Sequence, residues 1–348
     1  MAAETENSPR PLQQLARQTR RRRVIRFAGW AVALVVVIAA LLTGAAAGYD
    51  AATTGTRATI PPLDAHGHEV RTGDIVTRYE TWGRRGPVIV LVPGFIESSF
   101  VWRRVGPLLG RQFRVFALDI RGFGYTTHRG PYTLAADTRQ VAEFLHVLRL
   151  DAVHHAAPLL VGHSSGAAIV ANVALRQPRL ARGIVMLDGD GTSSGAGPAW
   201  MHALIVDPFF TAVLRFVLRH PFITRGVWSR VCGPRCPPFA GNELQGWQRP
   251  LEVPGAEAAL RAIVQAPLIG LAPALLERIH LPAAVMLGTR DPTISVARAR
   301  ASAGWLHTRI VVTVPQARHL PMISNPNEFS RDLASIVHEL PGGRTGAR

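Results

Sequence analysis

Leu159-Leu160-Val161-Gly162-His163-Ser164-Ser165-Gly166-Ala167-Ala168-Ile169-Val170 passes from an apolar strand-like run, through a Gly-x-Ser-x-Gly turn, into an alanine-rich helical run. The spacing has a mechanical reason. A sharp turn between strand and helix holds Ser164 in a strained backbone conformation, and only small residues two positions to either side let the backbones pack closely. The following helix aims its N-terminus at Ser164, where its dipole and free N–H groups favour negative charge. Outward from this turn, apolar runs bounded by turn residues recur at Val88 to Val92, Val115 to Leu118, Ile184 to Leu187, Ala284 to Leu287 and Ile310 to Val314. They read as buried parallel strands, with Ile75 to Thr81 as an outer strand. Helix-like stretches lie between them at Val101 to Arg111, Leu134 to Leu148, Ser165 to Arg176, Ser295 to Trp305 and Asn327 to Glu339. The pattern predicts the α/β class, a doubly wound and mostly parallel sheet. Its regularity breaks between Asp188 and Leu281, where helical patterning, many prolines and both cysteines predict a helical cap inserted into the sheet.

With that strand–turn–helix context, the sequence resembles the α/β-hydrolase superfamily from about His66 to Leu340. The resemblance implies the chain order nucleophile, acid, histidine. Ser164 takes the first place. Asp291, in Leu287-Gly288-Thr289-Arg290-Asp291-Pro292-Thr293, takes the second, with Asp188 or Asp190 at an earlier strand end as the alternative acid. His319, in Val314-Pro315-Gln316-Ala317-Arg318-His319-Leu320-Pro321, takes the third. Val92-Pro93-Gly94-Phe95 matches the family's oxyanion loop, so that the backbone N–H groups of Phe95 and Ser165 would hold a tetrahedral oxyanion. Here Pro93 replaces the usual histidine. Asp119-Ile120-Arg121-Gly122-Phe123-Gly124 resembles the family's structural D-x-R-G-x-G turn. It is not a dinucleotide loop, because Thr127 stands where the third glycine belongs. Serine at 164 disfavours the epoxide hydrolases and haloalkane dehalogenases of this fold, which carry Asp there. His163 is expected to point away from the nucleophile's face. The His66-x-His68 and His154-His155 pairs lack a third ligand and read as solvated, so no metal and no cofactor is expected.

With 348 residues, 47% hydrophobic and only 18% charged, the chain is not intrinsically disordered. Its 39 basic positions are all arginine against 23 acidic ones, a net charge of +16 that favours anionic lipid. No nucleic-acid motif is present, and no nucleic-acid partner is expected. From Phe27 to Tyr49 runs a 23-residue uncharged stretch, FAGWAVALVVVIAALLTGAAAGY. As a helix at ~1.5 Å per residue it spans a ~30 Å hydrocarbon core. Seven arginines precede it against Glu4 and Glu6. The positive-inside rule therefore puts the N-terminus in the cytoplasm and everything after Tyr49 outside. The alternative is a signal peptide cleaved after Ala45-Ala46-Ala47, which releases the same catalytic domain. In that oxidising compartment Cys232-Gly233-Pro234-Arg235-Cys236 fits a disulfide, with two free thiols as the alternative.

These readings divide the chain into an Arg-rich cytoplasmic tail (1–26), a transmembrane anchor (27–49), a linker (50–64), an N-terminal half of the hydrolase core (65–189), a helical cap (190–281), a C-terminal half of the hydrolase core (282–341) and a tail (342–348). The cap is rich in large apolar side chains: Trp200, Met201, Phe209, Phe210, Phe216, Phe222, Trp228, Phe239 and Trp247. Most are expected in the cap's own core and the rest in a pocket roof over Ser164, which favours a small hydrophobic substrate. The expectation is a serine hydrolase acting on a hydrophobic ester or lactone through an acyl-enzyme. Carbon–carbon hydrolysis, cofactor-free perhydrolysis or haloperoxidation, and a non-catalytic membrane-tethered binding protein are the alternatives. The oligomeric state is not encoded in any motif.

Overall fold

The computed structural model describes residues 11–151, 157–192, 205–266 and 270–340. Its centre is an eight-stranded sheet in the order β1-β2-β4-β3-β5-β6-β7-β8. The strands are β1 (Gly67–Thr72), β2 (Ile75–Trp82), β3 (Val88–Val92), β4 (Arg114–Leu118), β5 (Leu159–His163), β6 (Gly183–Leu187), β7 (Ala283–Gly288) and β8 (Val311–Val314). β2 runs antiparallel to β1 and β4, and the other pairs are parallel. Along β3, β5, β6 and β7 every residue is buried, which is why they read as unbroken apolar runs.

Because side chains alternate across a strand, the sheet feeds two cores. Val90, Val92 and Leu160 enter one with helices α3 (Leu134–Val147), α4 (Gly166–Arg176) and α10 (Val296–Trp305). Ile89, Leu91, Leu159 and Val161 enter the other with α2 (Gly106–Leu109), α11 (Pro321–Ser324) and α12 (Pro326–Glu339). The Asp119 turn is structural: its carboxylate accepts the N–H groups of Ser99 (2.6 Å) and Tyr125 (2.7 Å), while Arg121 pairs with Asp74 at 2.8 Å. One local expectation fails, and one strand is added. The helix expected over 101–111 is a 3₁₀ turn, Ser99–Trp102, followed by the single turn α2, because Pro107 has no N–H to donate back to the preceding turn. The added edge strand β1, GHEVRT, alternates polar residues against a half-exposed face and carries no apolar run to reveal it.

The cap holds α5 (Phe209–Arg219), α6 (Pro221–Val231), α7 (Gly241–Gln248), α8 (Ala256–Gln265) and α9 (Pro273–Leu276). Trp228 packs between Phe239 (4.9 Å between ring centroids) and Trp247 (5.5 Å). Cys232 and Cys236 are disulfide-bonded, their Cα atoms 5.9 Å apart.

The apolar N-terminal segment lies on one helix, α1 (Pro11–Ala52), which continues three residues past Tyr49. The stretch 50–64, expected as a loose linker, is stitched to the cap over its first ten residues. The Asp50 carboxylate accepts from Thr211 (2.9 Å) and pairs with Arg215 (3.0 Å). Arg215 also donates to the carbonyls of Asp50 and Thr53, Arg219 to that of Thr54, and Arg249 to that of Thr59, while Arg57 pairs with Glu252. Carbonyls and side chains just beyond a helix end need partners, and the cap's arginines supply them.

Candidate active site

Three parallel strands bring the candidate residues to one edge of the sheet. At the end of β5, Ser164 has φ +51°, a left-handed conformation that a side-chain-bearing residue adopts only under constraint. The constraint is visible: the Ser164 N–H donates to the Leu187 carbonyl at the end of β6 (2.8 Å), and α4 begins at once. A β-carbon on Gly162 would stand 2.2 Å from the Gly166 carbonyl oxygen, and one on Gly166 would stand 2.6 Å from that of Pro93. Both glycines are therefore required by contact.

Asp291 follows β7 and His319 follows β8. His319 Nε2 lies 3.1 Å from Ser164 Oγ, and His319 Nδ1 lies 2.8 Å from Asp291 Oδ2. The other oxygen of Asp291 accepts from the Thr293 N–H (2.6 Å) and hydroxyl (2.7 Å), and Thr293 Oγ1 is itself 2.9 Å from His319 Nδ1. Burial pushes the Asp291 carboxyl up, but its hydrogen bond to His319, the charge there and the Thr293 donors outweigh burial and hold it at about 2. Asp291 is thus a carboxylate at any working pH.

Asp188, the alternative acid, sits at the end of β6 with φ +45° and accepts the Gly288 N–H at 2.8 Å. It backs Asp291 rather than reaching the histidine ring by a hydrogen bond. Complete burial drives its carboxyl well above the ordinary range, and the neighbouring Asp291 charge adds to the rise. Asp190 lines the same cavity as Ser164 but makes no hydrogen bond to the histidine ring, being paired with Arg298 and capping Thr192. Asp188, Asp291 and His319 have ligand-type atoms within 4.8 Å of one another, the one such group among the described residues. Asp291 and His319 spend theirs on each other.

On the oxyanion side, Phe95 and Ser165 line the same cavity as Ser164, and a β-carbon on Gly94 would stand 2.9 Å from Ser164 Cβ. The loop is pinned from behind by the Glu97 carboxylate, which accepts the Gly94 N–H at 2.6 Å. The same Glu97 oxygen lies 2.8 Å from His163 Nδ1, and His163 Nε2 lies 2.8 Å from the His319 carbonyl oxygen. His163 does turn away from the nucleophile, as its place in the turn implies. It is nonetheless fully buried and joins the oxyanion loop to the histidine loop. Burial draws its ring pKa down, and the Glu97 charge and hydrogen bonds more than reverse this. The signal in the sequence was a glutamate three residues after Gly94 and a histidine one before Ser164. His66 and His68 bond Thr81 (3.1 and 3.0 Å), and His154-His155 fall outside the described residues.

The site opens into a cavity of about 600 Å³ walled by Phe95, Phe123, Tyr132, Ile263, Val264 and Ile294. The cap contributes the α8 residues Ile263 and Val264 in place of the expected large aromatics. Among the described ones, Trp228, Phe239 and Trp247 pack on one another and Phe216 and Phe222 face outward. Trp200 and Met201 lie outside the described residues.

A sequence model of the alpha/beta hydrolase family matches residues 89–332, from β3 into α12. The chain belongs to the alpha/beta hydrolase family. This hydrolase is 23% identical over 261 residues to the hydrolase YugF of Bacillus subtilis (strain 168), a match covering 74% of this chain and 92% of that one. Over 125 residues it is 32% identical to the 2-hydroxy-6-oxo-6-(2'-aminophenyl)hexa-2,4-dienoic acid hydrolase of Metapseudomonas resinovorans, covering 35% of this chain and 42% of that one. Its fold superposes on the crystal structure of a bacterial membrane phospholipase A with a TM-score of 0.62 at 21% identity, covering 95% of this chain and all of that one.

Proposed function

We propose that this hydrolase cleaves a hydrophobic carboxylic ester or lactone through an acyl-enzyme on Ser164. The observation that carries the reading is the unbroken hydrogen-bonded series Asp291–His319–Ser164, ending in a mostly apolar cavity with the Asp190–Arg298 pair on one side. His319 takes the Ser164 proton through Nε2 as the oxygen attacks the carbonyl carbon, then gives it to the leaving alkoxide. Asp291, ionised and bonded to Nδ1, fixes the tautomer and stabilises the imidazolium. The N–H groups of Phe95 and Ser165 hold the oxyanion. Water deacylates the serine by the reverse sequence. The chain is anchored by α1 with its catalytic domain outside the cytoplasm; a mature N-terminus at Gly48 would replace the anchor with a cleaved signal. The likeness to the dienoic acid hydrolase favours carbon–carbon hydrolysis as a second reading, using the same serine.

The test is a fluorophosphonate probe followed by a panel of p-nitrophenyl esters of rising chain length, lactones and a vinylogous diketone. Labelling that vanishes in Ser164→Ala, with ester turnover, supports the reading. Labelling with turnover of the diketone alone replaces it with carbon–carbon hydrolysis. Folded protein that takes no label overturns both.

A further inference from the structure

In α5 the polar residues Thr211 and Arg215 turn inward beside Ala212 and Leu218, and Val213 and Phe216 turn outward. Thr211 and Arg215 are engaged with the end of α1, and Arg215 also with Glu257 on α8 through two hydrogen bonds of 2.8 Å. On the opposite side Val213 and Phe216 are 62% and 43% exposed. An outward stripe of Val and Phe with Thr and Arg turned inward is unlike a water-facing helix. The exposed side is continuous with α1 through a line of ring contacts. Tyr49 of α1 packs on Phe216 (6.4 Å between centroids), Phe216 on His220 (4.0 Å) and His220 on Phe222 of α6 (5.9 Å), where Phe222 is 67% exposed. The α1 side chains from Phe27 to Leu42 are exposed as well, Trp30 and Leu41 by two thirds or more. Whatever covers α1 therefore meets α5 and α6 at its edge. Arg225 and Arg230, exposed on α6, flank the stripe with positive charge.

We infer that the α5–α6 corner of the cap lies in the headgroup layer of the bilayer that holds α1, with Val213, Phe216 and Phe222 inserted at the interface. The inference rests on the reading of α1 as a retained anchor. Its physical basis is position. Tyr49 closes the uncharged run, at the depth where tyrosines sit at a membrane boundary, and the stitched turn from Asp50 to Thr54 leaves the corner no freedom to leave that level. An amphipathic helix pair with an outward apolar stripe and flanking arginines suits an anionic interface. The catalytic domain then has two membrane contacts, a span and a surface patch, and its cap holds a fixed height and rotation over the lipid.

The experiment uses the full chain in vesicles of phosphatidylethanolamine and phosphatidylglycerol. Single cysteines replace Val213, Phe222, Leu41 in α1 and Val147, an exposed residue of the core, each labelled with nitrobenzoxadiazole. Fluorophosphonate labelling of Ser164 checks that each variant is folded. The expected result is blue-shifted emission at 213 and 222, quenching by a shallow lipid-borne spin label, and roughly threefold less quenching by aqueous iodide than at 147. Iodide access at 213 and 222 equal to that at 147, with 41 lipid-quenched, overturns the interfacial contact and leaves the anchor standing. Shielding from iodide without lipid quenching means that a second copy covers the corner, and also overturns it. If 41 itself escapes the lipid quencher, the anchor reading fails, and the inference falls with it.

Discussion

Ser164 stands at the end of a strand in which all five residues are buried, whereas α7 in the cap buries none of its eight side chains and α6 buries only Trp228. The core is fixed by apolar burial on both faces of a sheet. The cap buries a smaller apolar set, Leu218, Phe239, Leu260 and Leu276 among it, and adds polar stitches, Arg215 to Glu257, Arg103 to Glu243 and Arg261 to Asp207, with an aromatic stack and a disulfide closing a five-residue loop. Ion pairs contribute little net where desolvation offsets their attraction, while burial sums over a whole face. The Ser164 turn thus sits in the densely buried region, and of the cavity wall's large apolar side chains the cap supplies Ile263 and Val264.

The largest effect that sharpens this contrast is catalytic. Ser164→Ala and His319→Ala are each expected to lower kcat by roughly 10⁴-fold or more, and the double variant to be little worse, because the two act as one unit. Additive losses in steady-state kinetics would break the assignment. Asp291→Asn belongs with them, having lost the carboxylate bonded to the ring, and Asp188→Asn is expected to be mild because Asp188 makes no hydrogen bond to His319. The opposite order would transfer the acid's role to Asp188. A smaller effect separates the two regions by stability. Leu91→Ala, in the fully buried β3, is expected to cost about 2–5 kcal/mol in urea unfolding. Val227→Ala, exposed on α6, is expected to stay within about 0.5 kcal/mol. Equal costs would mean that the cap is as tightly packed as the sheet.

The smallest effect lies at the boundary, where the β-carbon of His128 is 3.1 Å from the place a β-carbon on Gly255 of the cap would occupy. Burial lowers the His128 pKa to about 4. As pH falls through the ordinary histidine range, the unfolded chain takes up this proton and the folded one does not. The His128 contribution to stability is therefore lost between about 6.5 and 4. Glu80 and Asp137, pushed up to about 7 by burial, act in the opposite sense over the same window. The comparison is therefore wild type against His128→Leu, whose difference in urea midpoint should shrink as pH rises from 4 to 7. A pH-independent difference would place this histidine in water.

Legibility followed the same division. Six of the strands were readable because burial on both faces leaves unbroken apolar runs such as Val88–Val92, and β2 because its turn-bounded run stands just outside them. Ser164 was readable because its strained turn excludes all but small neighbours at 162 and 166. What escaped was fixed by tertiary contact. β1 is polar and earns its place from register with β2, while Glu97 and His163 act only when two loops far apart in sequence meet. The stitching of 50–59 to the cap was hidden for the same reason, since an Ala/Thr/Gly stretch looks alike whether solvated or bound by arginines.

Glu97 and His163 also give the site a single stiffness. The loop at Gly94 and the backbone of His319 are bolted to the same buried pair, so a push on either is transmitted to the other. In a library of variants around 94–97 and 314–321, defects in the proposed proton shuttle and the proposed oxyanion cradle should therefore travel together. Compensating changes should be found as pairs across the two loops, a correlation that neither loop's own sequence would reveal.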